Sequence, residues 1–262
     1  MNGAGNDFVL VDNRQGAFHP TREQIVRLCH RQRGVGADGL LLLNRGRPGV
    51  APWAWEFYNC DGSVAEMCGN GARCFARFVQ RRTGAGPTVT FLTGAGLITA
   101  TLEGERVTVT LTPPRDLRLR EAVTLAEETR EVHSLDTGVP HAVLLVTEID
   151  QVDVLRLGAE IRRHPHFAPR GTNVDFVQVL SPGSLRVRTF ERGVEGETLA
   201  CGTGVTAAAL VCARLGGYAS PVTVQVRGGE RLEVAFREED GAYVEVRLTG
   251  PADTVFEGEI DL

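Results

Sequence analysis

The chain has 262 residues, of which 42% are hydrophobic, and its formal net charge is −5. This size and composition are typical of a globular protein with one large domain or two of modest size. The acidic balance disfavours nucleic-acid binding, which usually needs a basic surface. The apolar runs are too short to span a bilayer, and the start of the chain lacks the order of a signal peptide. We therefore expect a cytoplasmic protein that binds neither nucleic acid nor membrane.

The basic residues are all arginine, because the sequence contains no lysine. Without lysine, a protein cannot form an internal Schiff base with pyridoxal phosphate, and it cannot supply the lysine of a P-loop. The six cysteines include no Cys-x-x-Cys pair, so we expect no zinc site. In a cytoplasmic protein these thiols are expected to be reduced.

The first elements along the chain are two helices and a group of strands. One helix is predicted to begin after Thr21, where Thr21 and Gln24 can form a capping box, and its apolar face contains Ile25, Leu28 and Cys29. A second helix is predicted to follow Cys68 and to end near residues 83–84. Alternating apolar and polar residues then predict strands at 88–93, 97–103 and 106–112.

The second half of the chain predicts a similar series. A helix at 205–215, apolar on nearly all sides and therefore buried, ends at a Gly-Gly pair. Strands are predicted at 222–226, 231–236 and 242–248. We therefore expect each half to be a β-rich layer around one buried helix.

Short motifs recur in the same order in both halves. Cys-Gly-Asn-Gly at 68–71 matches Cys-Gly-Thr-Gly at 201–204, and the same spacing relates residues 5–9 to 138–142 and Phe57 to Phe190. Several ordered matches indicate an internal duplication. The sequence therefore predicts an α+β fold of two pseudo-symmetric domains, 1–114 plus 251–262 and 115–250.

Each Cys-Gly-x-Gly segment places a thiol where a loop enters a buried helix. The first-turn N–H groups and the helix dipole are expected to lower the pKa of Cys68 and Cys201 and to bind a carboxylate. Two such thiols on opposite faces of one carbon suit stereochemical inversion, in which one removes a proton and the other delivers one. The alternative is that both are small residues at tight turns. We assign Cys29, Cys74 and Cys212 to the core and leave Cys60 open.

Several stretches carry a resemblance to a known family. They closely resemble the diaminopimelate epimerase family, nearly end to end and in order. These stretches are Gly-Ala-Gly-Asn-Asp-Phe at 3–8, Asn-Cys-Asp-Gly-Ser at 59–63, Cys-Gly-Asn-Gly-Ala-Arg-Cys at 68–74, Gly-Thr-Asn at 171–173, Glu-Arg-Gly at 191–193 and Ala-Cys-Gly-Thr-Gly at 200–204. The resemblance implies two domains, each a mixed β-barrel-like sheet wrapped around a central helix. It implies interconversion of LL- and meso-diaminopimelate for lysine and peptidoglycan synthesis, by a homodimer without cofactor or metal.

The resemblance also implies roles for individual residues. Cys68 and Cys201 would be the proton-transfer pair, and Asn6 would hold the amine at the reacting carbon. The backbone at Gly69, Asn70, Gly202 and Thr203 would bind the reacting carboxylate; Asn59, Asn173 and Arg192 the distal carboxylate; and Glu191 the distal amine. His141 would tune a thiol, or else be a core histidine. Val139 and Gly39 depart from the family pattern, where many members have Asn and some have Gln.

Other functions remain as alternatives. Proline and hydroxyproline racemases share the cysteine pair but resemble Cys-Gly-His-Gly at the first motif, where this chain has Asn70. Isomerases of the phenazine-biosynthesis type lack the cysteine pair. A non-catalytic binding protein would not need both cysteines, and a cysteine hydrolase needs one nucleophile rather than a duplicated motif.

Overall fold

The computed structural model describes residues 1–261, which divide into two compact units. Unit 1 comprises Met1–Thr110 and the C-terminal segment from Gly250, and unit 2 comprises Leu111–Thr249. The boundaries expected from the sequence lay after residues 114 and 250. Within residues 1–261, no helix is both long and apolar enough to cross a membrane.

Unit 1 is a mixed sheet with two helices. Its helices are α1 (Arg22–Cys29) and α2 (Gly69–Thr83). Its strands, in chain order, are β1 (Asn2–Gly3), β2 (Asn6–Asp12), β3 (Gly39–Arg45), β4 (Trp53–Asn59), β5 (Thr88–Thr93), β6 (Gly96–Glu103) and β7 (Arg106–Thr110). Each strand pairs with the next; β2–β3 and β4–β5 are parallel and the other pairs are antiparallel.

The sheet of unit 1 wraps around α2. This helix contacts β1, β2, β3, β5, β6 and β7, and its Phe75 packs against Trp55 and Phe91. On the other face of the sheet, α1 packs Ile25 and Leu28 against β3. All four leucines of β3 at 40–43 are therefore fully buried, as expected for a strand with a helix on each face.

The predicted start of α1 is confirmed. The Thr21 side chain accepts from the Gln24 N–H, and the Gln24 side chain accepts from the Thr21 N–H. This reciprocal cap satisfies two N–H groups that the helix leaves unpaired and is worth about 1 kcal/mol.

Unit 2 contains the second series. Its helices are α3 (Val154–Arg162) and α4 (Gly202–Gly216). Its strands are β8 (Arg115–Thr124), β9 (Thr129–Asp136), β10 (Pro140–Leu145), β11 (Asn173–Ser181), β12 (Ser184–Glu191), β13 (Gly196–Thr198), β14 (Val222–Gln225), β15 (Arg231–Glu239) and β16 (Ala242–Pro251), the last two residues of β16 belonging to unit 1. The β8–β9 hairpin was not predicted from the sequence.

The two units repeat one order of elements. In each, a parallel pair encloses an outer helix (β2–α1–β3 and β10–α3–β11), and the next strand is antiparallel. A second parallel pair then encloses the central helix (β4–α2–β5 and β12–α4–β14). The predicted duplication and the α+β class are therefore confirmed.

The central helix α4 begins earlier than predicted. Its first residue is Gly202 rather than 205, with Cys201 as the N-cap. Apolar periodicity missed this first turn because its residues are Gly, Thr and Gly, which carry no apolar side chain. The helix contacts β9, β10, β11, β12, β14 and β15, so it is enclosed as α2 is.

Candidate functional site

Cys68 lies at the N-terminus of α2, as the sequence predicted. It is the N-cap residue, with extended backbone (φ −147°, ψ 121°), and its Sγ accepts a hydrogen bond of 3.4 Å from the Gly71 N–H. Gly69 and Asn70 form the first helical turn below it, and both are buried. The thiol is half-buried, so it is accessible to a ligand while remaining next to the positive end of the helix.

Asn6 and Asn70 meet at this thiol. The Cys68 S–H donates to Asn6 Oδ1, with S···O 3.5 Å, and Asn70 Nδ2 donates to the same oxygen at 3.3 Å. The amide nitrogen of Asn6 donates to Asp38 at 2.6 Å. The structure thus joins three of the predicted residues, and Asn6 presents its carbonyl oxygen beside the thiol, which suits an ammonium group.

Asn59 ends β4, and its side chain is used within the following turn. Its Nδ2 donates to Ser63 Oγ at 3.0 Å, and its backbone N–H donates to the Ser63 carbonyl. Asn59 pairs in register with Gly39, where a Cβ would lie 2.7 Å from the Tyr58 carbonyl oxygen. A larger residue at position 39 therefore does not fit this backbone without a shift.

Cys201 is the corresponding N-cap of α4, but its surroundings differ. The side chain is buried, and Sγ lies 3.4 Å from Thr203 Oγ1. The thiol also interacts with the Glu191 carboxylate, and the negative charges of Glu191 and Asp175 lie close to it. Burial, followed by these two charges, raises the pKa of Cys201 well above its ordinary value. The predicted lowering of this pKa is wrong, because burial and neighbouring acids outweigh the helix terminus.

Glu191 ends β12 next to this thiol. It accepts a hydrogen bond from Thr198 Oγ1, and burial raises the pKa of its carboxyl group. In this structure the Glu191 carboxylate, to which the resemblance assigns the distal amine, interacts with the Cys201 thiol. Its charge therefore acts on the proton of Cys201.

His141 lies on β10 and is fully buried. Its Nδ1 is 2.7 Å from Asp175 Oδ2, and Thr189 donates to the other carboxylate oxygen at 2.7 Å. Its Nε2 is buried and has no hydrogen-bond partner within residues 1–261. The ring is thus held by one edge, and its other edge is left for an additional group.

Asn173, at the start of β11, is joined to Arg192, which directly follows β12. Asn173 Oδ1 accepts from the Arg192 N–H at 2.8 Å, and its Nδ2 donates to the Pro140 carbonyl. The guanidinium of Arg192 donates to the Arg170 carbonyl at 3.1 Å. Burial and the neighbouring Arg170 and Arg162 lower the pKa of Arg192. This concentration of positive charge suits a carboxylate ligand.

Five polar residues around the two thiols were not singled out from the sequence. In unit 1, Arg31 donates to both Asp7 and Asp38, and Asp38 holds Asn6. In unit 2, Asp175 and Thr189 hold His141. The sequence did contain a signal for Asp175, because this acidic residue interrupts an apolar run at 174–177, and an acidic residue within a buried strand usually has a specific partner.

Three of the other cysteines lie in the core, as predicted, and the fourth lies at the surface. Cys29, Cys74 and Cys212 are buried, and burial raises the pKa of each to about 12. Cys60 is exposed. Among residues 1–261, His, Cys, Asp and Glu side chains form no group of three or more that could hold a metal ion.

The structure is similar to a solved structure of low sequence identity. It matches a phenazine biosynthesis protein of the PhzF family from Bacillus anthracis with a TM-score of 0.71, over 96% of this chain and 92% of that chain, at 14% sequence identity. At that identity the likeness defines the fold alone, which agrees with the fold class expected from the sequence.

The family follows from the sequence comparisons. A family model described as diaminopimelate epimerase matches residues 1–116 and 133–255. The diaminopimelate epimerase of Aquifex aeolicus is 45% identical, with 99% of this chain and 96% of that protein covered. The diaminopimelate epimerase of Chlorobaculum tepidum is 44% identical over the whole of both chains. The chain belongs to the diaminopimelate epimerase family.

Proposed function

We propose that this protein is an isomerase that interconverts LL- and meso-2,6-diaminopimelate, as its family implies, in lysine and peptidoglycan precursor synthesis. The observation that carries the mechanism is the duplicated N-cap cysteine. Each of Cys68 and Cys201 begins a buried helix in a Cys-Gly-x-Gly segment. A thiol and the N-terminus of a helix together supply a proton-transfer group and an anion site.

The reaction needs the two thiols, the N–H groups of the two helix starts and direct proton transfer between sulfur and the α-carbon. One cysteine, as thiolate, removes the α-proton from one face of the carbon, and its S–H bond forms as the C–H bond breaks. The electron pair left on the α-carbon spreads into the carboxylate, which the backbone N–H groups of Gly69, Asn70, Gly202 and Thr203 stabilise. The S–H of the second cysteine then gives its proton to the opposite face. Protons and electrons balance without a cofactor.

The two thiols begin the reaction in different states. Cys201 is buried beside two acidic groups, so it starts as a thiol and acts as the acid. Cys68, which accepts a hydrogen bond from the Gly71 N–H at the N-terminus of α2, starts as the base. In the reverse direction Cys201 must lose its proton, and the adjoining Glu191 carboxylate is placed to receive it.

The remaining polar residues would hold the ends of the substrate. The Asn6 oxygen would accept a hydrogen bond from the ammonium group at the reacting carbon, in place of the one it accepts from the Cys68 S–H, once that thiol has lost its proton. Arg192, with Asn173 and Asn59, would hold the distal carboxylate. The arginine-rich surroundings of Arg192 support that assignment.

We further propose a cytoplasmic homodimer. The two reacting cysteines must stay reduced, which a reducing compartment ensures, and twofold dimers are the commonest soluble assemblies. Sedimentation equilibrium at micromolar concentration tests the assembly; a monomer would contradict it.

The function is tested by α-proton exchange in D₂O, followed by NMR, with LL-diaminopimelate and proline offered separately. Wild type, Cys68→Ala, Cys201→Ala and the exposed-cysteine control Cys60→Ala are compared. We expect exchange and epimerisation of diaminopimelate alone, loss of epimerisation in both active-thiol variants, and wild-type activity in the control. Exchange of proline instead would overturn the substrate, and a folded, reduced wild type that exchanges neither compound would overturn the enzyme assignment.

A further inference from the structure

Arg73 is an arginine with no exposure to solvent. It lies on α2, one turn after Cys68, and its relative exposure is 0%. Its guanidinium donates to the carbonyls of Pro251 at 3.1 Å and Gly69 at 3.3 Å, and to Asn70 Oδ1 at 3.0 Å. The acceptors are two carbonyls and an amide oxygen rather than a carboxylate. Burying a cation without a hydrogen-bonded carboxylate costs free energy of folding, so the position of Arg73 calls for a functional explanation. Burial lowers the pKa of Arg73.

A directed chain of hydrogen bonds begins at this guanidinium. Arginine can only donate, so the Asn70 oxygen must face it and the Asn70 NH₂ must point away, to Asn6 Oδ1. Asn6 then has its NH₂ on the other side, where Asp38 accepts at 2.6 Å. A carboxylate can only accept, so the two ends of the chain enforce the same direction.

The direction of the chain has a chemical consequence. It fixes the Asn6 carbonyl oxygen beside the Cys68 thiol, which is the orientation that an ammonium ligand requires. If either amide turned over, Asn6 would present its NH₂ group to the ammonium, and the two donors would repel each other. The charged ends therefore settle an orientation that the two neutral amides alone leave undecided.

We propose that Arg73 is a positioning residue of the epimerisation: its cation orients the Asn70 and Asn6 amides for the reacting ammonium and stabilises the Cys68 thiolate. This inference rests on the proposed function for its ammonium ligand, but not for its effect on the thiol. Arg73 touches neither the reacting atoms nor solvent, and it acts through Asn70 and through its charge.

Other charged and titratable groups surround this region. Arg73 and Cys68 interact electrostatically with each other, and Asp7 and Asp38 share Arg31 on the far side of Asn6. The remaining groups near Arg73 and its neighbour Cys74 are Arg106 on β7, Asp253 in the C-terminal segment and the Met1 amino group. Removing Arg73 takes away the cation nearest to Cys68 along α2, whereas removing the charge of Asp38 takes away an anion.

The test compares Arg73→Met, Arg73→Lys and Asp38→Asn, with Arg77→Met as control. Arg77 lies one turn further along α2 and donates to Gln80 and to the Gly104 carbonyl. Two quantities are measured on each folded protein. They are the pH midpoint for alkylation of Cys68 by iodoacetamide, followed by mass spectrometry, and kcat and KM for diaminopimelate.

We expect opposite effects on the thiol and the same effect on the substrate. Arg73→Met raises the alkylation midpoint by about one pH unit, Asp38→Asn lowers it, and Arg73→Lys stays within about half a unit of wild type. Both Arg73→Met and Asp38→Asn lower kcat/KM by about tenfold or more, since each removes one of the two charged ends that hold the amides in this direction. Arg77→Met leaves both quantities at wild-type values.

A structural role alone would lower activity without this crossed pattern. An unchanged midpoint in folded Arg73→Met overturns the proposal, as does Asp38→Asn with wild-type KM. Should Arg73→Met not fold, Arg73→Lys and Asp38→Asn decide the question. An alkylation midpoint of Arg73→Lys that is shifted by as much as one pH unit from wild type would overturn the proposal. If wild type epimerises nothing yet the midpoints shift as expected, the proposed function fails while the effect of Arg73 on the thiol stands.

Discussion

The two cysteines occupy the same position in a repeated motif but differ in chemistry. Cys68 is half-buried and donates to a neutral amide, whereas Cys201 is buried against Glu191 and near Asp175. A helix N-terminus favours a thiolate by a few tenths to about 1 kcal/mol. Burial and two adjoining carboxylates act in the opposite direction at Cys201 and outweigh it. The residue-level chemistry therefore comes from neighbours that are distant in sequence.

Glu191→Gln tests this balance. Removing the charge takes away a cause of the raised pKa of Cys201, so at pH 8 more of that thiol is ionised and we expect alkylation about tenfold faster. Epimerisation in the direction that starts with loss of the Cys201 proton should nevertheless fall by about 100-fold or more, because the group that receives this proton is lost. Iodoacetamide labelling of Cys201 and NMR epimerisation assays measure the two effects. Glu195→Gln, at an exposed carboxylate paired with Arg162 and Arg163, is the control and should change neither. Slower labelling in Glu191→Gln would contradict the assignment.

Sequence reasoning identified the thiols and the helices that carry them but missed the residues behind them. A motif such as Cys-Gly-x-Gly is local, so its position at a helix start could be predicted from spacing. The partners Asp38 and Asp175 contact residues 32 and 34 positions away. Only the pairing of strands brings them together, and no local pattern records it. For the same reason the pKa direction of Cys201 could not be predicted, since it depends on burial.

At the scale of elements, the first turn of α4, which follows Cys201, lies very close to strand β11. A Cβ at Gly204 would lie 2.3 Å from Asp175 Oδ1 and 3.2 Å from Thr189 Oγ1. The second glycine of the motif is therefore required by the polar side chains of β11 and β12, not by its own backbone angles. These same side chains hold His141. The helix start and the histidine are thus coupled through one packed contact.

Gly204→Ala should break this contact. Forcing a methyl group against a buried carboxylate costs about 1–3 kcal/mol of the free energy of unfolding, and the displaced Asp175 should loosen His141 and reduce activity. Gly196→Ala is the matched control, because nothing lies within 4 Å of a Cβ built there. Urea denaturation of both variants measures the difference. Equal unfolding midpoints for the two variants would show that α4 can move away from β11 at no cost.

The strand and helix pattern was more predictable than the site. The strands 88–93 and 106–112 and the capping box of α1 follow from local periodicity, and they lie where expected within a residue or two. The β8–β9 hairpin was missed although β8 carries a strand pattern, in which Leu117, Leu119 and Val123 alternate with exposed residues. The signal was present in the sequence, and pairing with β9 fixes its position.

At the scale of the whole molecule, the absence of lysine changes how the protein responds to alkali. The chain has no lysine to titrate above pH 8, and its arginines stay charged. Cysteine and tyrosine side chains therefore dominate the titration in this range. Both units carry buried thiols on their helices: Cys29 and Cys74 in unit 1 and Cys212 in unit 2. Burial raises the pKa of each to about 12. In the unfolded chain these thiols ionise near pH 8.5.

The sign of the effect follows from linkage. Between the unfolded and folded pKa values, the folded state holds protons that the unfolded state has lost, so the free energy of unfolding falls as pH rises. Each such thiol contributes a slope of up to about 1.4 kcal/mol per pH unit. The stabilising contribution is complete below about pH 8 and is lost progressively between about pH 9 and pH 12.

Cys212→Ala should therefore flatten the alkaline loss of stability by one thiol's share. Urea denaturation at pH 8, 9, 10 and 10.5 gives the slope for wild type and variant, and the slope of the variant should be smaller by about 1 kcal/mol per pH unit at the upper end. Val211→Ala, at the adjoining buried residue of α4, is the control: it should lower stability at every pH and leave the slope unchanged. If the slope of Cys212→Ala equals that of wild type, as the slope of Val211→Ala should, then Cys212 already ionises in the folded protein, and the alkaline loss of stability comes from other groups.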